Sequence, residues 1–357
     1  MELDFAEVLL EVMERNASDL HLTAGSPPMV RERGQLSPLD YPPLDPTTVR
    51  EVVYSILSND QRQRLETDWQ IDLAYSIPGK ARFRVNAYFQ RASIGAAFRL
   101  IPQSMPALSD LGLPPIIEDF TKKPRGFVLV TGPTGSGKST TLAAMIDLIN
   151  ERRHEHIMTI EDPIEFLHRH KNCIVNQREL GADAQSFAAA LKSALRQDPD
   201  VILVGEMRDL ETIATALTAA ETGHLVFATL HTQDTAQTVD RIVDVFPPSQ
   251  QQQVRVQLSV ALQGIVTQQL LPTADGMARV CATEALVPTP AVRNLIREGK
   301  THQIYSALQT GGSHGMQTMD AALADLVRRN KITRELAESR ASAPEELRRL
   351  MGTVRVA

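Results

Sequence analysis

The sequence is poor in cysteine, in aromatic residues and in long apolar runs. Only Cys173 and Cys281 occur among 357 residues. Two thiols cannot build a disulfide framework or a four-thiolate zinc site, and their scarcity fits a reducing cytoplasm. Phe, Trp and Tyr make up 4% of the chain, which leaves few platforms for stacking bases. No apolar run reaches the roughly 18 residues that a membrane helix needs. Met1 to Met13 carry acids and no basic stretch, so no signal peptide is expected there. Positive charge is not in excess either. With 37 basic and 43 acidic residues the net charge is -6, which argues against a broad nucleic-acid surface while leaving room for a local basic channel. What is present is 43% apolar and 22% charged residues. That is the composition of a folded protein, at a length that suggests two domains.

The first hundred residues read as a small α+β unit. Phe5, Val8, Leu9, Val12 and Met13 share one helical face, and Asp19 to Thr23 alternates polar and apolar as a half-buried strand does. Ser37 to Pro46 reads as a proline-rich loop and Thr48 to Leu57 as a helix. Arg82 to Phe89 and Gly95 to Ile101 read as two strands joined by a turn. Pro102, Pro106, Pro114, Pro115 and Pro124 then mark a stiff connection. Beyond it, Phe127–Val130, Ile157–Ile160, Val201–Val204 and Leu225–Thr229 are short runs apolar on both faces, separated by helical patterns. Strand–helix alternation with such runs predicts an α/β domain around a mostly parallel sheet. After about residue 248 the chain is expected to be mostly helical, with Gln250 to Gln253 at a solvated helix start.

Gly132-Pro133-Thr134-Gly135-Ser136-Gly137-Lys138-Ser139 matches the phosphate-binding pattern G-x-x-x-x-G-K-[ST] in full. It follows a predicted strand and opens a predicted helix at Thr140, the context such a loop requires. Glycines let backbone amides turn toward phosphate oxygens, and the helix N-terminus favours negative charge. Lys138 is expected to bridge the β- and γ-phosphates of ATP and Ser139 to ligand Mg²⁺.

Hydrolysis also needs an oriented water. The apolar run Val201–Val204 ends in Gly205-Glu206. A generic magnesium-binding strand has Asp directly after the run, so Glu206 is the candidate to polarise water, and a candidate metal ligand through water. A second acidic cluster, Glu161-Asp162-Pro163-Ile164-Glu165, follows another strand, and ligands gather beyond the carboxyl ends of parallel strands. His224 and His231 bracket Leu225–Thr229, either as γ-phosphate sensors or carboxylate partners, or as structural histidines. Arg82, Arg84 and Arg99 read from spacing as ordinary surface arginines, with phosphate-reaching fingers the alternative. The pairs His154/His156 and His168/His170 lack the companion ligands of a recognised metal site.

Taken together, these motifs resemble the secretion-ATPase superfamily, and within it the type IV pilus retraction ATPases. The P-loop Gly132–Thr140 is similar to that family's loop. Thr159–Phe166 resembles its acidic box, and Val201–Arg208 its atypical Walker B strand, where Gly precedes Glu. Thr222–His224 through Leu230–Thr232 resembles its histidine box, and Ser18–Leu22 matches near the start. Ala291–Glu298 resembles the C-terminal signature of the retraction branch, with Val292 in place of Ile, and Gln309–Gly312 and Gly315–Asp320 are similar too. Extension and type II secretion motors usually carry an extra N-terminal region and a four-cysteine metal site, neither of which is found here.

The resemblance implies a PAS-like domain over residues 1–105 and a RecA-like ATPase domain over 106–357, helical from about 290 onward. It implies a homohexameric ring with ATP at domain interfaces. Arg84 and Arg99 fall on the family's arginine pair, and Glu165, His224 and His231 on its catalytic boxes. It further implies work on an inner-membrane pilus platform protein and a paralogous accessory retraction ATPase as a further partner. The place of action would be the cytoplasmic face of the inner membrane, without insertion and without nucleic acid. Ala291–Glu298 is the expected output segment. The alternatives are an accessory retraction ATPase or a type II secretion or pilus assembly motor, then a nucleic-acid motor, then a nucleotide-gated scaffold without turnover.

Overall fold

Apolar spacing at the start of the chain becomes a helix, Phe5–Glu14, whose Val8, Leu9 and Val12 are buried and whose first amides are capped by Asp4. The computed structural model describes residues 4–77, 80–101 and 105–352; Pro102 of the predicted connection, residues 1–3 and residues 353–357 lie outside them. The chain divides into two units, Met1–Ser104 and Met105–Ala357.

In the first unit the strands β1 (Asp19–Leu22), β2 (Met29–Glu32), β3 (Gln35–Pro38), β4 (Gln70–Ile77), β5 (Ala81–Gln90) and β6 (Ser93–Ile101) form one sheet. Its order is β3-β2-β1-β6-β5-β4, and every neighbouring pair is antiparallel. Alternation gives the sheet two unlike faces. Leu20, Leu22, Val30, Phe83, Val85, Ile94 and Phe98 form one apolar cluster with Val8, Leu9, Val49 and Val53 of the helices. The opposite face carries Asp19, Arg84 and Arg99. The expected loop from Ser37 begins inside β3, and a second helix, Asn59–Asp68, follows Pro46–Ile56. Asn59–Asp68 buries only Leu65, so no apolar period announces it. A reciprocal Ser58–Gln61 capping box starts it instead.

The second unit holds β7 (Gly126–Thr131), β8 (His156–Glu161), β9 (Ile174–Glu179), β10 (Val201–Val204), β11 (Leu225–Leu230), β12 (Leu262–Pro272) and β13 (Arg279–Leu286). They form a sheet in the order β13-β12-β7-β11-β10-β8-β9. Neighbours are parallel except the β12–β13 pair. Successive residues of β7 feed opposite cores: Phe127 and Leu129 join one cluster, Val128 and Val130 the other. That is why these runs show no alternation.

The chain after residue 248 is mostly helical, as expected, but two strands interrupt it that the expectation lacked. Helix Pro248–Ala261 runs directly into β12, and β13 returns beside it. In β12, Leu262, Ile265, Val266 and Leu270 happen to fall at helical spacing, so periodicity alone misreads a doubly buried strand. Helices Pro290–Glu298, Ile304–Thr310, Met319–Arg328, Arg334–Arg340 and Pro344–Met351 complete the chain.

Candidate active site

The phosphate-binding loop leaves the buried strand β7 and enters helix Lys138–Arg152. Gly132, Gly135 and Gly137 have φ values of 134°, 78° and 90°, a region that side chains disfavour. Gly132 has a second reason to lack one: a Cβ there would lie 2.3 Å from the carbonyl oxygen of Gln268. Gly137 caps the helix without a side-chain bond, leaving the first amides for an anion. Ser136 is 2% exposed, and its Oγ has no hydrogen-bond partner among the described residues. Open amides and a buried hydroxyl in one cradle suit a polyphosphate. Lys138 Nζ donates to the carbonyls of Gly132 at 2.8 Å and Pro133 at 3.0 Å. Burial lowers its pKa, against the opposing charges of Glu206 and Glu165.

A cavity of about 180 Å³ opens beside this loop, lined by Thr134, Gly135, Lys138, Ser139, Glu161, Asp162, Glu165, Gly205, Glu206, Thr229 and His231. The carboxyl ends of β8, β10 and β11 thus converge on the P-loop. The unusual glycine before Glu206 follows from packing. A Cβ at Gly205 would meet the Ile160 carbonyl at 3.1 Å and Glu161 Cα at 3.2 Å. Glu206 accepts from Arg208 Nε at 2.5 Å and Nη2 at 2.6 Å. His231 Nε2 lies 3.0 Å from Glu206 Oε1. Burial alone would raise the Glu206 pKa, but Arg208 and His231 outweigh it and hold the carboxylate below its ordinary range. Glu161 is the opposite case. Burial pushes its carboxyl up, although Thr159 Oγ1 at 2.6 Å and Gln177 Nε2 at 3.1 Å donate to it.

His224, one of the expected catalytic residues, lies apart from this cavity. It precedes β11 at the amino end, whereas His231 follows the carboxyl end. Its Nδ1 approaches the carbonyl of Ala219 at 3.0 Å, and it does not line the P-loop cavity. A six-residue strand spans about 20 Å, so one chain cannot present both histidines to one phosphate. The paired histidines also part company. His156 is fixed between Asp198 O and Asn176 Nδ2, and His170 Nδ1 accepts from the Val175 amide. His168 lines the P-loop cavity, where burial drops its pKa to about 4.

Arg84 and Arg99 belong to the first unit. They are direct register partners across β5 and β6, and both are exposed. Like charges placed opposite each other are unfavourable. Asp19, the register partner of Arg99 on β1, accepts from Arg99 Nε at 2.8 Å. Burial would raise the Asp19 pKa, yet Ser18 and Arg99 lower it overall. The terminal nitrogens of Arg99 remain on a side chain that is 71% exposed.

Thr140, like Ser136 and Gly137, does not line the cavity that holds the carboxylates. It lines a second cavity of about 670 Å³ with Gly137, Leu113, Leu270, Arg279 and Lys331. Arg208 and Gln268 escape sequence reasoning as site residues, whereas Glu161 belongs to the acidic cluster expected there. Arg208 stands two positions after Glu206, a visible signal. Gln268 reaches the P-loop through strand register, which spacing does not reveal.

The comparisons agree with this geometry. The family model described as type II/IV secretion system protein matches residues 2–352. The chain is 52% identical to the type IV pilus retraction ATPase PilT of Pseudomonas aeruginosa, over 96% of this chain and 99% of that one. It is 42% identical to the type IV pilus ATPase PilU of the same organism, over 97% and 91%. The crystal structure of the pilus retraction motor PilT with bound ADP superposes with a TM-score of 0.91 at 51% identity, covering 98% of this chain and all of that one. With the loop, the atypical Walker B strand and the fold in agreement, the chain belongs to the type II/IV secretion system protein family, on its pilus retraction ATPase branch.

Proposed function

We propose that the protein is an ATP-hydrolysing motor that powers type IV pilus retraction. The observation that carries this reading is the convergence of Lys138, Ser139, Glu165, Glu206 and His231 on one cavity at the carboxyl ends of parallel strands. The loop amides and Lys138 bind the phosphates. Ser139 would hold Mg²⁺, with Glu206 reaching it through water; when bound, the ion would supply charge neutralisation to the phosphates. Glu206 orients the attacking water, and His231 fixes Glu206. The cavity beside Thr140 has room for the nucleoside end of ATP. Arg84 and Arg99 supply positive charge to the developing γ-phosphate from the first unit, in a homohexameric ring that brings subunits together.

The chain is more similar to the retraction ATPase than to its PilU counterpart, which supports the principal motor over the accessory one. No helix among the described residues is long and apolar enough to cross a membrane. In this reading the motor acts from the cytoplasmic side on an inner-membrane platform protein, alongside a paralogous accessory ATPase. Steady-state hydrolysis tests the enzymatic half. Wild type should turn over Mg·ATP, and Glu206→Gln should lose about 100-fold or more in kcat while still binding ATP. Binding without turnover in wild type would favour a nucleotide-gated scaffold. Stimulation by DNA that fades with salt would favour a nucleic-acid motor.

A further inference from the structure

Glu284 is a carboxylate buried in β13, 2% exposed. Its Oε1 accepts from the Thr235 amide at 2.9 Å and its Oε2 from the Met319 amide at 3.3 Å. Thr235 opens helix Thr235–Asp244 and Met319 opens helix Met319–Arg328. One side chain therefore joins the N-termini of two helices far apart in sequence. Helix N-termini carry partial positive charge, which offsets the cost of burying a carboxylate. A leucine would fill the space without that cost. What the carboxylate adds is the pair of bonds.

Each bond leads somewhere. Thr235 follows His231, whose Nε2 touches Glu206, and the intervening turn is tied by Thr232 Oγ1 to Thr238 Oγ1 at 2.6 Å. On the other side Asp320, fully buried, accepts from the amides of Ser342 and Ala343 and from the Tyr305 hydroxyl. Met319–Arg328 is thereby bound to helix Ile304–Thr310 and to the turn that opens helix Pro344–Met351. Glu284 also continues the strand-register row Thr131–Thr267–Glu284, which starts at the last residue before the P-loop. Thr131 and Thr267 share a hydrogen bond of 2.8 Å.

We propose that Glu284 is a positioning residue that couples the phosphate-facing segment His231–Thr235 to the C-terminal helices through Met319. The proposal rests on the ATPase reading above. Separately from Glu284, a backbone bridge between Ala285 and Gln317 holds the same segment on β13, so losing the carboxylate need not release the helix.

The test is amide hydrogen exchange on the full-length protein, with and without the Mg²⁺ complex of a non-hydrolysable ATP analogue. In wild type the analogue should slow exchange across residues 319–328 by about fivefold or more. In Glu284→Gln that difference should vanish, while the affinity for the analogue stays within about threefold. Thr235→Pro is the second variant. It removes the amide donor but leaves Glu284, at a first helical position where proline is favoured. Asp234 before it is already extended, with φ -147° and ψ 169°, as a residue preceding proline should be. It should lose the same difference. A wild-type-sized response in both variants, or a wild type that binds the analogue without any change at 319–328, overturns the proposal. Failure of wild type to bind the analogue would instead overturn the ATPase reading beneath it.

Discussion

His231 Nε2 lies 3.0 Å from Glu206 Oε1, so the histidine after β11 holds the carboxylate after the neighbouring strand β10. Parallel register brings the two strand ends side by side: Val204 is the partner of Ala228. Glu206 is thereby aimed rather than left to rotate. In the proposed reading His231 orients Glu206 and does not remove the proton. His231→Ala should lower kcat by about 10- to 100-fold and leave ATP affinity nearly unchanged. A large rise in KM with unchanged kcat would contradict this assignment.

Much of this site was legible in the chain because its motifs are contiguous. A P-loop needs its glycines, lysine and serine within eight positions, so the phosphate cradle could be read directly. Glu206 followed from the end of an apolar run. What spacing could not supply was direction along a strand. His224 and His231 look equivalent as brackets of Leu225–Thr229, but in a parallel sheet only the carboxyl end meets the ligand. The same limit hid β12 and β13, whose doubly buried residues carry no period of two. Gly205 shows the converse. A departure from the generic motif had a packing cause, the backbone of Glu161 running 3.2 Å from where a Cβ would be.

In the proposed ring, Arg84 and Arg99 would reach a phosphate bound by another chain. Arg84→Ala and Arg99→Ala should each reduce kcat by about 1,000-fold, the range of an arginine finger. Mixing Arg99→Ala subunits with Lys138→Ala subunits should restore part of the activity, because some interfaces then hold both an intact loop and an intact arginine. Mixtures no more active than the separate variants would refute action between subunits.

The signature Ala291–Glu298 divides into two roles. Arg293 Nη1 turns inward onto the carbonyl of Val260 at 2.8 Å and onto that of Ser259. There it closes the C-terminus of helix Pro248–Ala261, and burial lowers its pKa. Ala291, Asn294 and Arg297 remain exposed. Arg293→Ala should therefore destabilise the fold by about 1 to 2 kcal/mol through the lost cap. Arg297→Ala should leave unfolding midpoint and ATPase unchanged while impairing retraction. Equal loss of stability in both variants, read by urea denaturation, would contradict the division.

His168 makes stability depend on pH. Its folded pKa is about 4, below the ordinary 6.5, so the fold keeps the ring neutral. Well above pH 6.5 neither state is protonated and nothing is lost. As pH falls toward 4 the unfolded chain takes a proton that the folded one refuses, and stability drops. Between about pH 7 and about pH 5 this amounts to roughly 2 kcal/mol. Urea denaturation of His168→Gln should show a loss smaller by that amount over the same interval. Identical pH slopes in the two proteins would remove His168 as the cause.

The central claim is that this protein pulls pili in by hydrolysing ATP. The most direct measurement is deletion and complementation in the source cell, following single surface pili with wild type and with Lys138→Ala. Wild type should restore retraction. Lys138→Ala should leave cells covered with pili that extend and do not retract. Cells lacking pili altogether in the deletion strain, or normal retraction with Lys138→Ala, would contradict the account.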